Sequence, residues 1–195
     1  MITAIVLAAG QSKRMGHQKL VLSWGETTVI RQVISVLQDS GLDEILVVVG
    51  GDHKLVEEVL AGLPVRIIFN PTFGNCEMLD TLKLGIEKVN PDTQGILVVL
   101  GDQPQIRQST VDLILKTYQD GKPSLVIPSY QMRRGHPWLV DRILWPEILA
   151  IQSPLTLRDF LNQHLEMARY VEVKEDSVLR DLDTPADYLR EKPTD

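Results

Sequence analysis

Two hydrophobic rhythms alternate along the chain. Val65–Phe69 reads as a third strand, while the apolar runs at Ile2–Leu7, Ile45–Val49 and Ile96–Leu100 lack the polar alternation of a half-exposed strand. They predict strands covered on both faces. Between them, apolar residues recur at spacings of three and four. Val29, Ile30, Val33, Ile34 and Leu37 form one such stripe, starting near Thr28. Leu55, Val56, Val59 and Leu60 form a second, and Met78, Leu82, Ile86 and Val89 a third. Each predicts an amphipathic helix. Gly41, Gly50-Gly51, Gly62 with Pro64, Asn70-Pro71 and the loop through Gly74 and Asn75 separate the elements.

The second half is less regular. Ser109 to Asp112 has the spacing of a capping box and predicts a helix start, with Ile114, Leu115 and Tyr118 facing inward. Leu125–Ile127 reads as a short strand held between Pro123 and Pro128. Tyr130 to Trp145 shows no clean period and predicts no element. Thr156–Asp159 opens another helix, with Phe160, Leu161 and Leu165 as its apolar stripe. Tyr170–Val173 reads as a strand. Thr184-Pro185-Ala186-Asp187 combines an N-cap, a proline at the first helical position and an acid in the first turn. The alternation predicts an α/β fold, a Rossmann-like three-layer α/β/α sandwich around a mostly parallel sheet.

Composition narrows the function classes. The 195 residues suit a single domain. Apolar residues at 44% and charged residues at 24% exclude a disordered or coiled-coil chain. The net charge of −6 disfavours a general nucleic-acid partner, because phosphate backbones reward a basic surface. A small phosphorylated ligand needs only two or three well-placed cations. No basic leader opens the chain, and no apolar stretch approaches the ~18 residues of a membrane span, so no membrane partner is expected. Cys76 is the single cysteine, which excludes an intrachain disulfide and a cysteine zinc site and suits a reducing, cytoplasmic setting.

Parallel sheets bind ligands at the carboxyl ends of their strands. After the first strand, small residues at Ala8, Ala9 and Gly10 allow a tight turn whose N–H groups form a nest for phosphate oxygens. Ser12 adds a donor, Arg14 a guanidinium fork and Lys19 a mobile point charge. The same residues also read as a glycine turn followed by a solvated basic loop. Past the fourth strand stands Asp102, a candidate Mg²⁺ ligand or a turn aspartate capping Gln103-Pro104. Asp181 and Asp183 flank one apolar residue in an extended stretch, so they face the same way. Either could complete a metal site with Asp102, and Asp183 could equally complement the helix start at Thr184.

Together, Leu7-Ala-Ala-Gly-Gln-Ser-Lys-Arg-Met-Gly16 with Lys19, Glu77-Met78-Leu79, Gly101-Asp-Gln-Pro104, Arg134-Gly-His-Pro137 and Asp181-Leu-Asp-Thr-Pro185 with Asp187 span nearly the whole chain. In this order they resemble the molybdenum cofactor cytidylyltransferase-like nucleotidyltransferases, within the nucleotide-diphospho-sugar transferase superfamily. The resemblance implies that fold and one domain over 1–195, with a nucleotide-binding half at 1–105 and an acceptor-binding half at 106–190. It implies nucleotide contacts at Leu7, Ala8, Ala9, Gly10 and Ser12, and at Met78, Asp80 and Thr81 near the base. Arg14, Lys19 and Asp102 would be catalytic. Asp102 and Asp183 would hold Mg²⁺, with Asp181 in reserve. Gln103, Arg134, Gly135, His136 and Pro137 would line the acceptor side. Asp80-Thr81 departs from the small hydroxyl pair usual in relatives, which bears on base choice.

The implied reaction transfers NMP from an NTP, CTP favoured, to a phosphorylated small molecule such as molybdopterin, with loss of pyrophosphate. A sugar-phosphate acceptor and a non-catalytic nucleotide-binding regulator are the competing readings. His136, on a constrained turn, reads as loop or pocket architecture rather than a proton carrier. Trp24, Trp138 and Trp145 read as core or rim, with Trp138 the candidate to touch a flat acceptor.

Overall fold

The computed structural model describes residues 1–10, 12, 14–73 and 78–193. Gln11, Lys13, Gly74, Asn75, Cys76 and Glu77 lie outside them, and with these residues the loop expected through Gly74 and Asn75. The first half follows the predicted alternation: β1 (Ile2–Ala8), α1 (Val29–Asp39), β4 (Glu44–Val49), α2 (His53–Leu60), β5 (Arg66–Phe69), α3 (Met78–Lys88) and β6 (Gly95–Leu100). A two-residue hairpin, β2 (Ser23–Trp24) with β3 (Thr27–Thr28), leads into α1. The second half contributes α4 (Gln108–Gly121), β7 (Leu125–Tyr130), β8 (Arg133–Arg134), β9 (Trp138–Asp141), α5 (Trp145–Ala150), α6 (Leu157–Gln163), β10 (Ala168–Glu172) and α7 (Pro185–Glu191).

Eight strands among the described residues form one sheet in the order β10-β7-β9-β6-β1-β4-β5, with β8 paired to β7. The pairs β6-β1, β1-β4, β4-β5 and β7-β10 are parallel. β9 runs antiparallel between β6 and β7. β1 pairs with β4 on one side and β6 on the other. The chain therefore reverses its direction of growth across the sheet here, and a crevice opens at the carboxyl ends of β1 and β6.

The central strands are apolar without alternation because each face meets helices. Ala4, Val6 and Ala8 of β1 pack into a cluster with Val33, Ile34 and Leu37 of α1 and Ile114 of α4. Ile5, between them, packs into the opposite cluster with Leu82 and Ile86 of α3 and Phe160 of α6. These two cores make the three layers, and Leu97 and Val98 of β6 divide between them in the same way. No helix among the described residues is long and apolar enough to cross a membrane.

Two expectations change. The helix expected from Ser109 begins at Gln108, with Arg107 in extended conformation at its N-cap and no side-chain cap. The Thr110 N–H bonds the Arg107 carbonyl at 3.0 Å, so the backbone closes the turn that the Ser109 hydroxyl was expected to close. The segment 130–145, expected to lack regular structure, contains β8, β9 and the start of α5. Trp138 is core, as its sequence reading has it: it is only 8% exposed and gives its indole N–H to the Gly135 carbonyl at 2.8 Å. The capping boxes at Thr156–Asp159 and Thr184–Asp187 both form with reciprocal bonds.

Candidate active site

The loop after β1 sits against two neighbouring strand ends. The Gly101 N–H bonds the Leu7 carbonyl at 3.1 Å, which draws the β6 turn beside the loop. On the other side, a Cβ at Gly50 would fall 2.5 Å from the Ala9 carbonyl oxygen. Only glycine lets the end of β4 come this close.

Beyond Gly10, Ser12 adopts a left-handed conformation (φ 48°), rare for a residue with a side chain. Its hydroxyl donates to Gln18 Oε1 at 3.1 Å and accepts from the Lys19 N–H at 3.3 Å. Gln18 is buried and also receives the Leu20 N–H at 3.4 Å. Ser12 and Gln18 thus fix the backbone at Lys19 and Leu20, and the Lys19 ammonium meets Asp102 at the edge of the cleft. Gln18 was not singled out in the sequence, where it carries no motif of its own.

The cleft is lined by Leu7, Ala9, Gly10, Met78, Thr81, Leu100, Asp102, Asp181 and Asp183. Candidates from four separate stretches of chain therefore meet at one place. Ala8 is buried in the core beneath it. Asp80 lies on the exposed side of the first turn of α3, outside the lining.

Lys19 and Asp102 form a close ion pair, and the same ammonium stands 3.6 Å from Asp183 Oδ1. Arg14 reaches Asp183 Oδ2 at 2.7 Å. The Arg14 side chain is 72% exposed and that of Lys19 only 12%. One cation is therefore built into the wall while the other stands in solvent. The Asp181 carboxyl is pushed upward from the ordinary carboxylate range. Its crowding by protein atoms is the first cause, although the residue as a whole remains exposed, and the neighbouring charges of Asp102 and Asp183 add to it. The Gln103 amide, donating to Asp181 Oδ1 at 2.5 Å, and the Lys19 charge act the other way.

Asp102 and Asp183 converge on a point that already carries positive charge. Two hard carboxylates meeting at a cation are the donor set that a divalent metal takes when phosphate oxygens and water complete its shell. The residues fit such an ion.

The remaining candidates gather elsewhere. Arg134 is exposed and donates to Asn162 Oδ1 at 3.1 Å. Gly135 lies against the turn at Asp176–Leu179, where a Cβ would fall 2.3 Å from the Val178 carbonyl oxygen. The His136 N–H bonds that carbonyl at 2.9 Å, and its ring stacks on Trp138 with centroids 4.2 Å apart. Nε2 of His136 is buried with no hydrogen-bond partner among the described residues. Burial lowers the pKa of this imidazole from 6.5 to about 4, so it is neutral near pH 7. Pro137 is buried beside it. This stretch braces the turn that leads into Asp181–Asp183. Gln103 is also buried, with its amide on Asp181.

A basic loop and paired carboxylates at the switch point of a three-layer α/β fold define a nucleotidyltransferase. The family model of the MobA-like NTP transferase domain matches residues 4–168, and the chain belongs to this family. It is 28% identical to the molybdenum cofactor cytidylyltransferase of Escherichia coli, covering 98% of this chain and 95% of that one. It is 26% identical to the nicotine blue oxidoreductase of Paenarthrobacter nicotinovorans, over 97% and 95% of the two chains. Among solved structures, a manganese complex of Rv0371c from Mycobacterium tuberculosis superposes with a TM-score of 0.83 at 25% identity, over 98% of this chain and 97% of that one.

Proposed function

We propose that this protein transfers NMP from an NTP, with CTP favoured and Mg²⁺ as the metal, to a phosphorylated small-molecule acceptor, releasing pyrophosphate. Molybdopterin is the leading acceptor. The observation that carries the reading is the meeting of Lys19, Asp102, Asp183 and Arg14 at the carboxyl ends of β1 and β6. The likeness to a molybdenum cofactor cytidylyltransferase supports the nucleotide and the acceptor. The manganese complex of a structural neighbour supports a divalent cation.

A phosphate monoester is largely dianionic at neutral pH, with a second pKa of about 6, so it needs no general base. The obstacle is the approach of two anions, and the residues answer it with charge and position. The N–H groups around Ala8 to Gly10 receive the phosphates. Lys19 exchanges Asp102 for phosphate oxygens, and Arg14 exchanges Asp183 for the leaving pyrophosphate. Asp102 and Asp183 would hold Mg²⁺, which would supply charge neutralisation and alignment of the phosphates. Met78 and Thr81, which line the cleft, take the base side, whereas Asp80 stands outside it. Arg134 to Pro137 shape the acceptor side from the second half of the chain.

The test is pyrophosphate release with CTP, ATP and GTP in turn, each with molybdopterin, in Mg²⁺ and in EDTA. The expected result is EDTA-sensitive release with CTP. Release with another nucleotide would correct the base. Metal-dependent CTP binding without release would move the acceptor to another class, sugar phosphates first, or make the protein a nucleotide-binding regulator. Release indifferent to EDTA would overturn the role of the carboxylates.

A further inference from the structure

Three hydrogen bonds tie the turn after β6 to the segment bearing Asp181 and Asp183. The Leu182 N–H bonds the Asp102 carbonyl at 3.3 Å, and the Gln105 amide bonds the Arg180 carbonyl at 2.7 Å. The third runs from the Gln103 amide to Asp181 Oδ1. It alone ends on a carboxylate of the cleft, and a donor to a charged acceptor makes the strongest bond of the three. Gln103 is itself fixed. It is 2% exposed, its N–H bonds the Leu100 carbonyl at 3.4 Å, and its carbonyl receives the Ile106 N–H at 3.2 Å. A carboxylate only accepts, so the amide nitrogen must face Asp181.

On the far side of Asp181, Leu182 is wholly buried, and Asp183 emerges again on the cleft side, beside Lys19 and Arg14. Asp181 is thus held from within the protein, whereas Asp183 faces the cations. The two aspartates share a face but not a task.

We propose that Gln103 is a positioning residue, which clamps Asp181 and so holds Asp183 on the Lys19 side of the cleft with Asp102, where these two carboxylates would hold a divalent cation. This makes Asp183, rather than Asp181, the second cation ligand. The inference rests on the metal-dependent reading of the site and specifies its geometry. Partners that orient metal ligands in this way change metal affinity by about 10- to 100-fold when removed.

The experiment uses Mn²⁺ as probe, read by its electron paramagnetic resonance signal in the presence of CTP. CTP binding in EDTA is measured alongside, and thermal melting verifies folding. Gln103→Leu should weaken Mn²⁺ binding about 10-fold or more and leave metal-free CTP binding unchanged. Gln103→Glu places a second carboxylate against Asp181 and should weaken Mn²⁺ binding further. Adding Asp181→Asn to Gln103→Glu rebuilds the bond with donor and acceptor exchanged, and should recover most of the loss.

Wild-type Mn²⁺ affinity in Gln103→Leu would overturn the proposal. So would a swapped pair no better than Gln103→Glu alone, since that would make the Asp181 carboxylate a ligand in its own right. If Gln103→Leu fails to fold, the comparison of Gln103→Glu with the swapped pair decides. A wild-type protein that binds no Mn²⁺ with CTP would instead refute the metal reading itself.

Discussion

Both ends of the central strands carry polar and charged side chains, yet the two ends treat them differently. At the amino-terminal end, Thr3 is fully buried, and its hydroxyl donates to Glu44 Oε2 at 2.9 Å and meets the Thr93 hydroxyl at 2.8 Å. Glu44 pairs with Arg66 at 3.3 Å. Nearby, the Tyr118 hydroxyl lies 2.5 Å from Asp141 Oδ2. Burial and this carboxylate together raise the tyrosine above its ordinary pKa, so it stays a protonated donor. Each of these groups has a protein partner within hydrogen-bonding or ion-pair distance. At the carboxyl end, two carboxylates are held by cations that can leave them, one of which stands mostly in solvent. Closed networks hold the strands in register, and the open network is available to a ligand. Position relative to strand direction, rather than the presence of charge, separates structural from functional polar groups in this protein.

The sharpest way to break the comparison is to exchange a carboxylate for an amide at the open end. Asp102→Asn should lower turnover by about 100-fold or more while the melting temperature stays within a few degrees of wild type. A loss of stability without a loss of turnover would assign Asp102 to the closed, structural class.

His136 is expected to give the next largest effect, on stability. Its imidazole is neutral when folded, with a pKa of about 4 against 6.5 for the free side chain. The unfolded chain therefore takes up the proton first as pH falls. Stability from this group is complete above about pH 6.5 and is lost progressively down to about pH 4, by about 3 kcal/mol in all. His136→Phe keeps the stack on Trp138 and should flatten that slope in denaturant titrations. A slope unchanged in the variant would place its source elsewhere.

At the closed end, Thr3→Val removes the donor to Glu44. It should cost about 1–3 kcal/mol of unfolding free energy, with kcat of the folded fraction unaltered. The smallest stability effect belongs to Arg14→Ala, since an exposed ion pair contributes about 0–1 kcal/mol. Turnover should nevertheless fall, because the guanidinium acts on the phosphates. If both stability and turnover were unchanged, Arg14 would belong to a merely solvated loop.

The cleft was legible in the sequence for a physical reason. Strand ends are marked by apolar runs that stop at small residues, and Arg14, Lys19, Asp102 and Asp183 lie just past such ends or in an extended stretch near the last helix. The resemblance then supplied the order in which they belong together. Other features could not be read that way. β9 lies between two strands, buried on both faces, and its four residues follow Arg134-Gly-His-Pro137, where no period can establish itself. The hairpin before it turns at Gln131 and Met132, both with positive φ (48° and 63°), without the glycine or asparagine that would announce such a turn. α5 has six residues, fewer than two full turns. The bond of Gln103 depends on tertiary placement, with a partner 78 positions away, and Gln18 bonds locally to Ser12 and Leu20 without any motif that marks it. Local pattern identifies the groups that face the ligand better than the groups that hold them.

The most direct measurement of the central claim is an equilibrium titration of CTP into the wild-type protein and into Asp102→Asn, each in Mg²⁺ and in EDTA. The account expects Mg²⁺ to tighten CTP binding to the wild type and to leave the variant's binding unchanged. A variant that responds to Mg²⁺ as the wild type does would contradict it.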